Sequence, residues 1–228
     1  REEAARLERE ALEGIPEWHL DTPENARKRG VRRFSGQMFT RQEPVQGVVG
    51  KEVEVKFSQK DLPKGHLAVI EASQLQPSHM QGQRNPMFFI EEAQPKNRAE
   101  GVSMYAAKEM AEGIRPQEIT GSATAYTGAP TVNARGEVIQ GNNRSDALRY
   151  LWDSNLPEQQ QAYKRYLIDN AEQFGLDPEA VNAMQQPVLV NMLDVDDAEA
   201  IRLGQMTAQD TESGGGERIQ PKNGAQKL

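Results

Sequence analysis

Residues 130–153, PTVNARGEVIQGNNRSDALRYLWD, set the order of elements from which the rest of the chain can be read. Apolar residues flank Asn133-Ala134-Arg135-Gly136, the pattern of a β-hairpin whose Gly136 takes the positive φ that other side chains avoid. The returning strand runs straight into Gly141, after which Ala147, Leu148, Leu151 and Trp152 recur at helical spacing. Strand, glycine turn and helix therefore follow one another without a spacer. A glycine at such a junction lets the backbone turn sharply, and the unpaired N–H groups of the helix start point toward any anion placed there. Arg144, in the first turn, adds a planar fork of donors suited to phosphate oxygens. On spacing alone, the competing reading is a glycine turn that merely caps a helix, with Arg144 in a surface ion pair.

Working outward, Leu156 to Phe174 continues as helix with Tyr163, Tyr166, Leu167, Ile168 and Ala171 available to face inward. Asp177-Pro178-Glu179 starts a short helix, with Asp as cap and Pro in the first turn. Pro187 to Leu193 is a buried strand and Asp196 to Asp210 a last helix, before a Gly-rich polar tail that composition predicts to be disordered. Upstream, Lys51 to Ser58 alternates with Val53, Val55 and Phe57 on one face, and Gly65 to Ala72 supplies a second strand that Pro77-Ser78-His79 ends. Gln81 to Arg98 is a long Gln-, Asn- and Pro-rich loop with Met87, Phe88, Phe89 and Ile90 embedded. Its length suggests function. Ser103 to Glu112 is a short helix with Ser as its cap, ended by Gly113. Arg1 to Glu13 carries only Leu7 and Leu12 as bulky apolar residues and predicts a solvent-exposed helix. Arg27, Lys28, Arg29, Arg32 and Arg33 then form either a solvated linker or an arm for nucleic-acid phosphates.

The expected organisation is a charged helix and basic linker over 1–50, one α+β domain over 51–212 and a tail over 213–228. The 228 residues contain no Cys, which excludes disulfide scaffolds, thiolate metal sites and Cys nucleophiles. No segment has the ~20 apolar residues of a membrane helix, so no membrane partner is expected. A net charge of −7 argues against coating nucleic acid over the whole surface, though not against a local basic site. A first residue of Arg rather than Met leads to the expectation of a piece cut from a longer chain.

From about Glu52 to Asp210 the chain resembles the ParB/sulfiredoxin superfamily, and most of all its DdrB-like ParB branch, found within large phage and mobile-element polyvalent proteins. The resemblance is carried by Val69 to Leu75 followed by Pro77-Ser78-His79, by Gln94-Pro95-Lys96-Asn97-Arg98, by Gly128-Ala129-Pro130, by Gly136-Glu137-Val138-Ile139, by Gly141 to Arg149, and by Pro187 to Val190. It implies a small mixed sheet with flanking helices, and a Gly-x-x-Arg turn that holds the phosphates of a nucleoside triphosphate, CTP or ATP. Gly141, Asn142, Asn143 and Arg144 would form the turn, with Gln94, Pro95, Lys96 and Arg98 on the opposite side. Ser78 and His79 match a box of undefined chemistry. ParB closes its site with Glu-Asn-x-x-Arg, helping to hold Mg²⁺. Here Gly204-Gln205-Met206-Thr207-Ala208 stands instead, leaving Gln205 as a substitute for the amide.

Related proteins act as nucleotide-dependent switches on DNA or as nucleases, so the resemblance implies DNA as a partner, with NTPase or nuclease activity as an extension. Glu91, Glu92 and Asp146 are the carboxylates available to such chemistry. Other domains of a larger polyprotein or virion components would be further partners. The expected location is the cytoplasm of a bacterial host or a phage particle. The alternative is a non-catalytic nucleic-acid or protein interaction module, serving DNA protection or antirestriction. Asn85-Pro86-Met87-Phe88 lacks the second proline of the amino-methyltransferase signature, and His19, His66 and His79 are too scattered for a zinc site.

Overall fold

The computed structural model describes residues 22–94, 101–121 and 127–212, with only the backbone at 101–104 and 207–212. The expected helix at Arg1–Glu13 and the tail from Ser213 lie outside the described residues. In chain order, α1 (Pro23–Arg29), β1 (Val31–Phe34) and β2 (Gln37–Thr40) precede β3 (Val48–Glu54) and β4 (Lys64–Glu71). After a 3₁₀ turn at Ala72–Gln74 come β5 (His79–Met80), β6 (Gln83–Arg84) and a second 3₁₀ turn at Glu91–Ala93. Next are α2 (Gly101–Glu112), α3 (Pro116–Thr120), β7 (Thr131–Val132), β8 (Val138–Gln140) and α4 (Asn142–Asp153). Then follow α5 (Pro157–Asp169), α6 (Ala171–Phe174), α7 (Pro178–Ala183), β9 (Pro187–Leu193) and α8 (Asp197–Glu212).

Five strands form one mixed sheet in the order β3-β4-β9-β7-β8. β9 pairs antiparallel with β4 and parallel with β7, so the last of the described strands joins two earlier hairpins. This is the expected α+β architecture. The Asn133–Gly136 turn joins β7 to β8 with Gly136 at φ 72°, and a side chain at Gly136 would collide with the Gln74 carbonyl. Asn133 Oδ1 closes the turn by accepting from the N–H groups of Arg135 and Glu137, both at 3.0 Å.

The main core packs Leu148 and Leu151 of α4 and Tyr163 and Leu167 of α5 against Val188, Leu189 and Val190 of β9. A second core joins Val55, Phe57, Phe88 and Ile90 to Ile139, Leu193 and Leu203. Each fully buried aliphatic or aromatic side chain contributes roughly 1.5–3 kcal/mol relative to exposure. Phe88, Phe89 and Ile90 therefore anchor the 81–94 segment, which composition alone left as a loop. Gly204 of α8 lets the helix approach that segment, because a Cβ there would lie 2.6 Å from both the Cβ and the carbonyl oxygen of Ala93.

Several boundaries shift for physical reasons. β3 begins at Val48 and ends at Glu54, while Val55 and Phe57 stay buried beyond it, their N–H groups donating to the Pro63 and Asp61 carbonyls at 3.0 Å. The helix expected over 156–174 is interrupted at Asn170, with Asn170 Nδ2 donating to the Tyr166 carbonyl at 2.8 Å. Asp177 does cap α7, its Oδ1 accepting from the Glu179 N–H at 2.9 Å. Among the described residues no helix is long and apolar enough to cross a membrane.

Candidate functional site

Gly141 is the N-cap of α4 and has φ 92° and ψ 31°, a left-handed conformation that costs other L-residues about 1–2 kcal/mol. A second constraint falls on the same residue. A Cβ at Gly141 would lie 2.8 Å from Nη2 and 3.2 Å from Cζ of Arg144, so the guanidinium folds back over the space a side chain would take. Positive φ therefore belongs to Gly141, and Asn143 is an exposed helical residue. The Gly141 carbonyl accepts from Ser145 N–H at 2.9 Å and Ser145 Oγ at 3.0 Å, fixing the first turn.

Arg144 Nη1 donates to the Gly128 carbonyl, and desolvation by burial pulls the guanidinium pKa down to about 10. Its position compounds that cost. The N-terminal end of a helix carries a partial positive charge, and the first turn of α4 contains no acidic residue. An anion at this turn would offset both penalties. The neighbouring Ala129 and Pro130 carbonyls accept from Asn191 Nδ2 and N–H at 3.0 and 2.8 Å, so the central strand holds the segment that Arg144 touches.

Asn142 is 3% exposed. Its Oδ1 accepts from Ser78 N–H at 2.7 Å, while its buried Nδ2 has no hydrogen-bond partner among the described residues. Asp146, one turn later, accepts from Gln81 N–H at 2.9 Å, and burial raises its pKa. Two side chains of α4 thus tie the 78–81 segment to the glycine turn. Ser78 Oγ lies 3.1 Å from His79 Nδ1, and Gln94 Nε2 donates to the Ile139 carbonyl at 3.1 Å, two residues before Gly141.

Ser78, His79 and Gln94 line one cleft together with Arg84, Asn85, Phe88 and Glu91, with only about 20 Å³ of free space. Glu91 is one of the three carboxylates that the sequence offered for chemistry, whereas Arg84 was not singled out there. The signal was an arginine beside a two-residue turn, Gln81 at φ 50° and Gly82 at φ 78°, but nothing local told it from any surface cation. Pro95, Lys96 and Arg98 lie outside the described residues. Gln205 is exposed and donates to the Glu92 carbonyl at 3.1 Å, a contact that holds α8 to the Glu91–Ala93 turn. Among the described residues no three His, Asp or Glu side chains are grouped to hold a metal ion.

The basic run is only partly solvent-facing. Arg27 donates to both carboxylate oxygens of Glu92 at 2.8 Å, and Lys28 pairs with Glu24 at 2.6 Å. Arg32 is 7% exposed, pairs with Glu91, donates to the Phe88 carbonyl at 3.0 Å and stacks 4.8 Å over the Phe89 ring. A contiguous phosphate-reading arm would need all five cations outward, and instead Arg27 of α1 and Arg32 of β1 are committed to Glu92 and Glu91. Arg33 remains exposed and Arg29 half-buried. The hairpin is completed by Arg41, which is 8% exposed and bonded to the fully buried Glu137 and, at 2.7 and 2.8 Å, to Asp197.

The family model described as the ddrB-like ParB superfamily domain matches residues 59–194. Neither a curated protein nor a solved structure matches the chain.

Proposed function

The chain belongs to the ddrB-like ParB superfamily, and on that premise we propose that its Gly141–Arg144 turn binds the phosphates of a nucleoside triphosphate, CTP or ATP, in a module that works on or near DNA. The observation that carries this reading is Arg144, a desolvated cation folded over Gly141 at the positive end of α4. An anion at this turn would offset the desolvation of the guanidinium. Nδ2 of buried Asn142 in the same turn, without a partner among the described residues, adds a further donor. Because the cleft beside the turn has room for little more than a water molecule, nucleotide binding displaces part of the 78–94 wall.

Binding is better supported than hydrolysis. Asp146 holds the Gln81 N–H, and Glu91 and Glu92 are engaged by arginines, so the three carboxylates available for chemistry serve the fold. Among the described residues no three His, Asp or Glu side chains are grouped to hold a metal ion, so a Mg²⁺ here would be held mainly by the nucleotide's phosphates and water. For DNA, Lys28, Arg29 and Arg33 are better placed than Arg27 and Arg32, which face inward. Phage context and a role in antirestriction follow from kinship alone.

Calorimetric titration with CTP, ATP, GTP and UTP, with and without Mg²⁺, tests the reading on wild type and Arg144→Ala. Binding of one nucleotide that Arg144→Ala abolishes is the expected result. A folded wild type that binds none of the four refutes it, leaving a non-catalytic interaction module.

A further inference from the structure

Glu91 sits between two arginines from different parts of the chain. One carboxylate oxygen takes the Arg32 guanidinium of β1, and the other takes Arg84 Nη2 of β6 at 2.6 Å. Their surroundings differ. The Arg32 side chain is 8% exposed, stacked on Phe89 and bonded to the Phe88 carbonyl, whereas the Arg84 side chain is 55% exposed and lines the cleft beside Ser78, His79 and Gln94. Arg32 is thus a fixed partner and Arg84 a removable one. The cleft wall is joined to the glycine turn through Ser78 N–H on Asn142 and Gln81 N–H on Asp146.

The charges decide how this group responds to an anion. With the hairpin docked, Arg32, Glu91 and Arg84 sum to +1. Without Arg32, the Glu91–Arg84 pair sums to zero, and the anion must then compete with a carboxylate that has no other counter-charge. We infer that Arg84 is a second anion-receiving residue of this site, and that the β1–β2 hairpin licenses it by neutralising Glu91 through Arg32. The inference rests on the reading of the Gly141 turn as a phosphate site and adds to it a polyphosphate-binding residue and a coupled element outside the matched residues 59–194. Coupling of this kind is reciprocal: when Arg84 turns to the anion, Glu91 belongs wholly to Arg32 and the hairpin docks more firmly.

Calorimetry with inorganic triphosphate, then with the nucleotide that binds best, reads the charge arithmetic. Glu91→Gln leaves +2 and raises affinity about fivefold, as one unit charge about 4 Å from an anion does at the dielectric of water, the regime of the exposed Arg84. Arg32→Gln leaves zero and lowers affinity by about the same factor, and Arg32→Gln/Glu91→Gln returns to +1 and to within about twofold of wild type. Should Arg32→Gln fail to fold, Glu91→Gln keeps the inference open to refutation. In the unmodified chain, hydrogen exchange across 31–40 slows when triphosphate is added. Unchanged or weaker binding in Glu91→Gln, with binding still sensitive to Arg144→Ala, overturns the role of Arg84 and leaves the glycine turn standing. No binding of triphosphate or nucleotide by either wild type or Glu91→Gln overturns both.

Discussion

Replacing Gly141 by Ala separates what the turn does for the fold from what it does for a ligand. Two costs arise, and they fall on different measurements. The backbone cost comes from holding an L-residue at φ 92°, roughly 1–2 kcal/mol. For a domain of this size that lowers the melting midpoint by about 2–8 °C. The steric cost comes from a Cβ 2.8 Å from Arg144 Nη2, and since that atom ends a flexible side chain, it is met by swinging the guanidinium aside. Stability changes little further. Ligand affinity does, because a displaced fork forfeits charge-assisted hydrogen bonds worth about 1.5–3 kcal/mol, a loss of about 10- to 100-fold in phosphate binding. Gly141→Asn, whose residue tolerates left-handed backbone, keeps more of the stability and loses as much affinity. Urea unfolding and triphosphate calorimetry on the three proteins give both numbers. If Gly141→Ala loses stability yet binds within twofold of wild type, Arg144 is not the phosphate ligand and the reasoning fails.

Three further outcomes are expected. Arg41→Met strands the fully buried Glu137 and costs about 3–5 kcal/mol in denaturant unfolding, and Arg41→Met/Glu137→Gln recovers part of it because no buried charge is left uncompensated. Asp197 has its pKa lowered below 3.8 by its hydrogen bonds with Arg41, so its contribution is present above that value and lost as pH falls through the lower folded one. The stability gap between wild type and Asp197→Asn is accordingly open at pH 5 and closes on acidification below 3.8, read by acid titration of the unfolding midpoint. Burial brings the Arg144 pKa down to about 10, so triphosphate affinity, flat near pH 8, declines as pH passes about 10. A profile level to pH 11 would show instead that the guanidinium keeps its proton in the site, as arginine does elsewhere.

The strand, glycine turn and helix over 138–153 were legible because each depends on local chemistry: alternation, a positive φ and helical spacing. Gly141 was found, and the same logic located Gly136 and the Asp177 cap. What local reading could not supply was partnership across the chain. Arg27 and Arg32 have the composition of a nucleic-acid arm, and only the fold shows Glu92 and Glu91 waiting for them 65 and 59 residues away. Gln205 looked like a substitute ligand amide, but its side chain serves the Glu92 carbonyl, because Gly204 lets α8 lie directly on the Glu91–Ala93 turn. Arg84 was missed for the converse reason. Its meaning comes from Glu91 and from the cleft, neither of which leaves a periodic trace.

The place of β9 has a consequence for how the protein is made. As the chain leaves the ribosome, the β3–β4 and β7–β8 hairpins are complete long before Pro187, yet each presents an unpaired inner edge to the other. Joining them waits for residues 187–193, contacts of large sequence separation that close slowly. Until then Ala129 and Pro130 lack the Asn191 donors that fix the segment touched by Arg144, so a nascent or truncated chain ending before Pro187 carries the glycine turn without its support. The glycine turn therefore gains its support late in synthesis, once β9 has sealed the two inner edges.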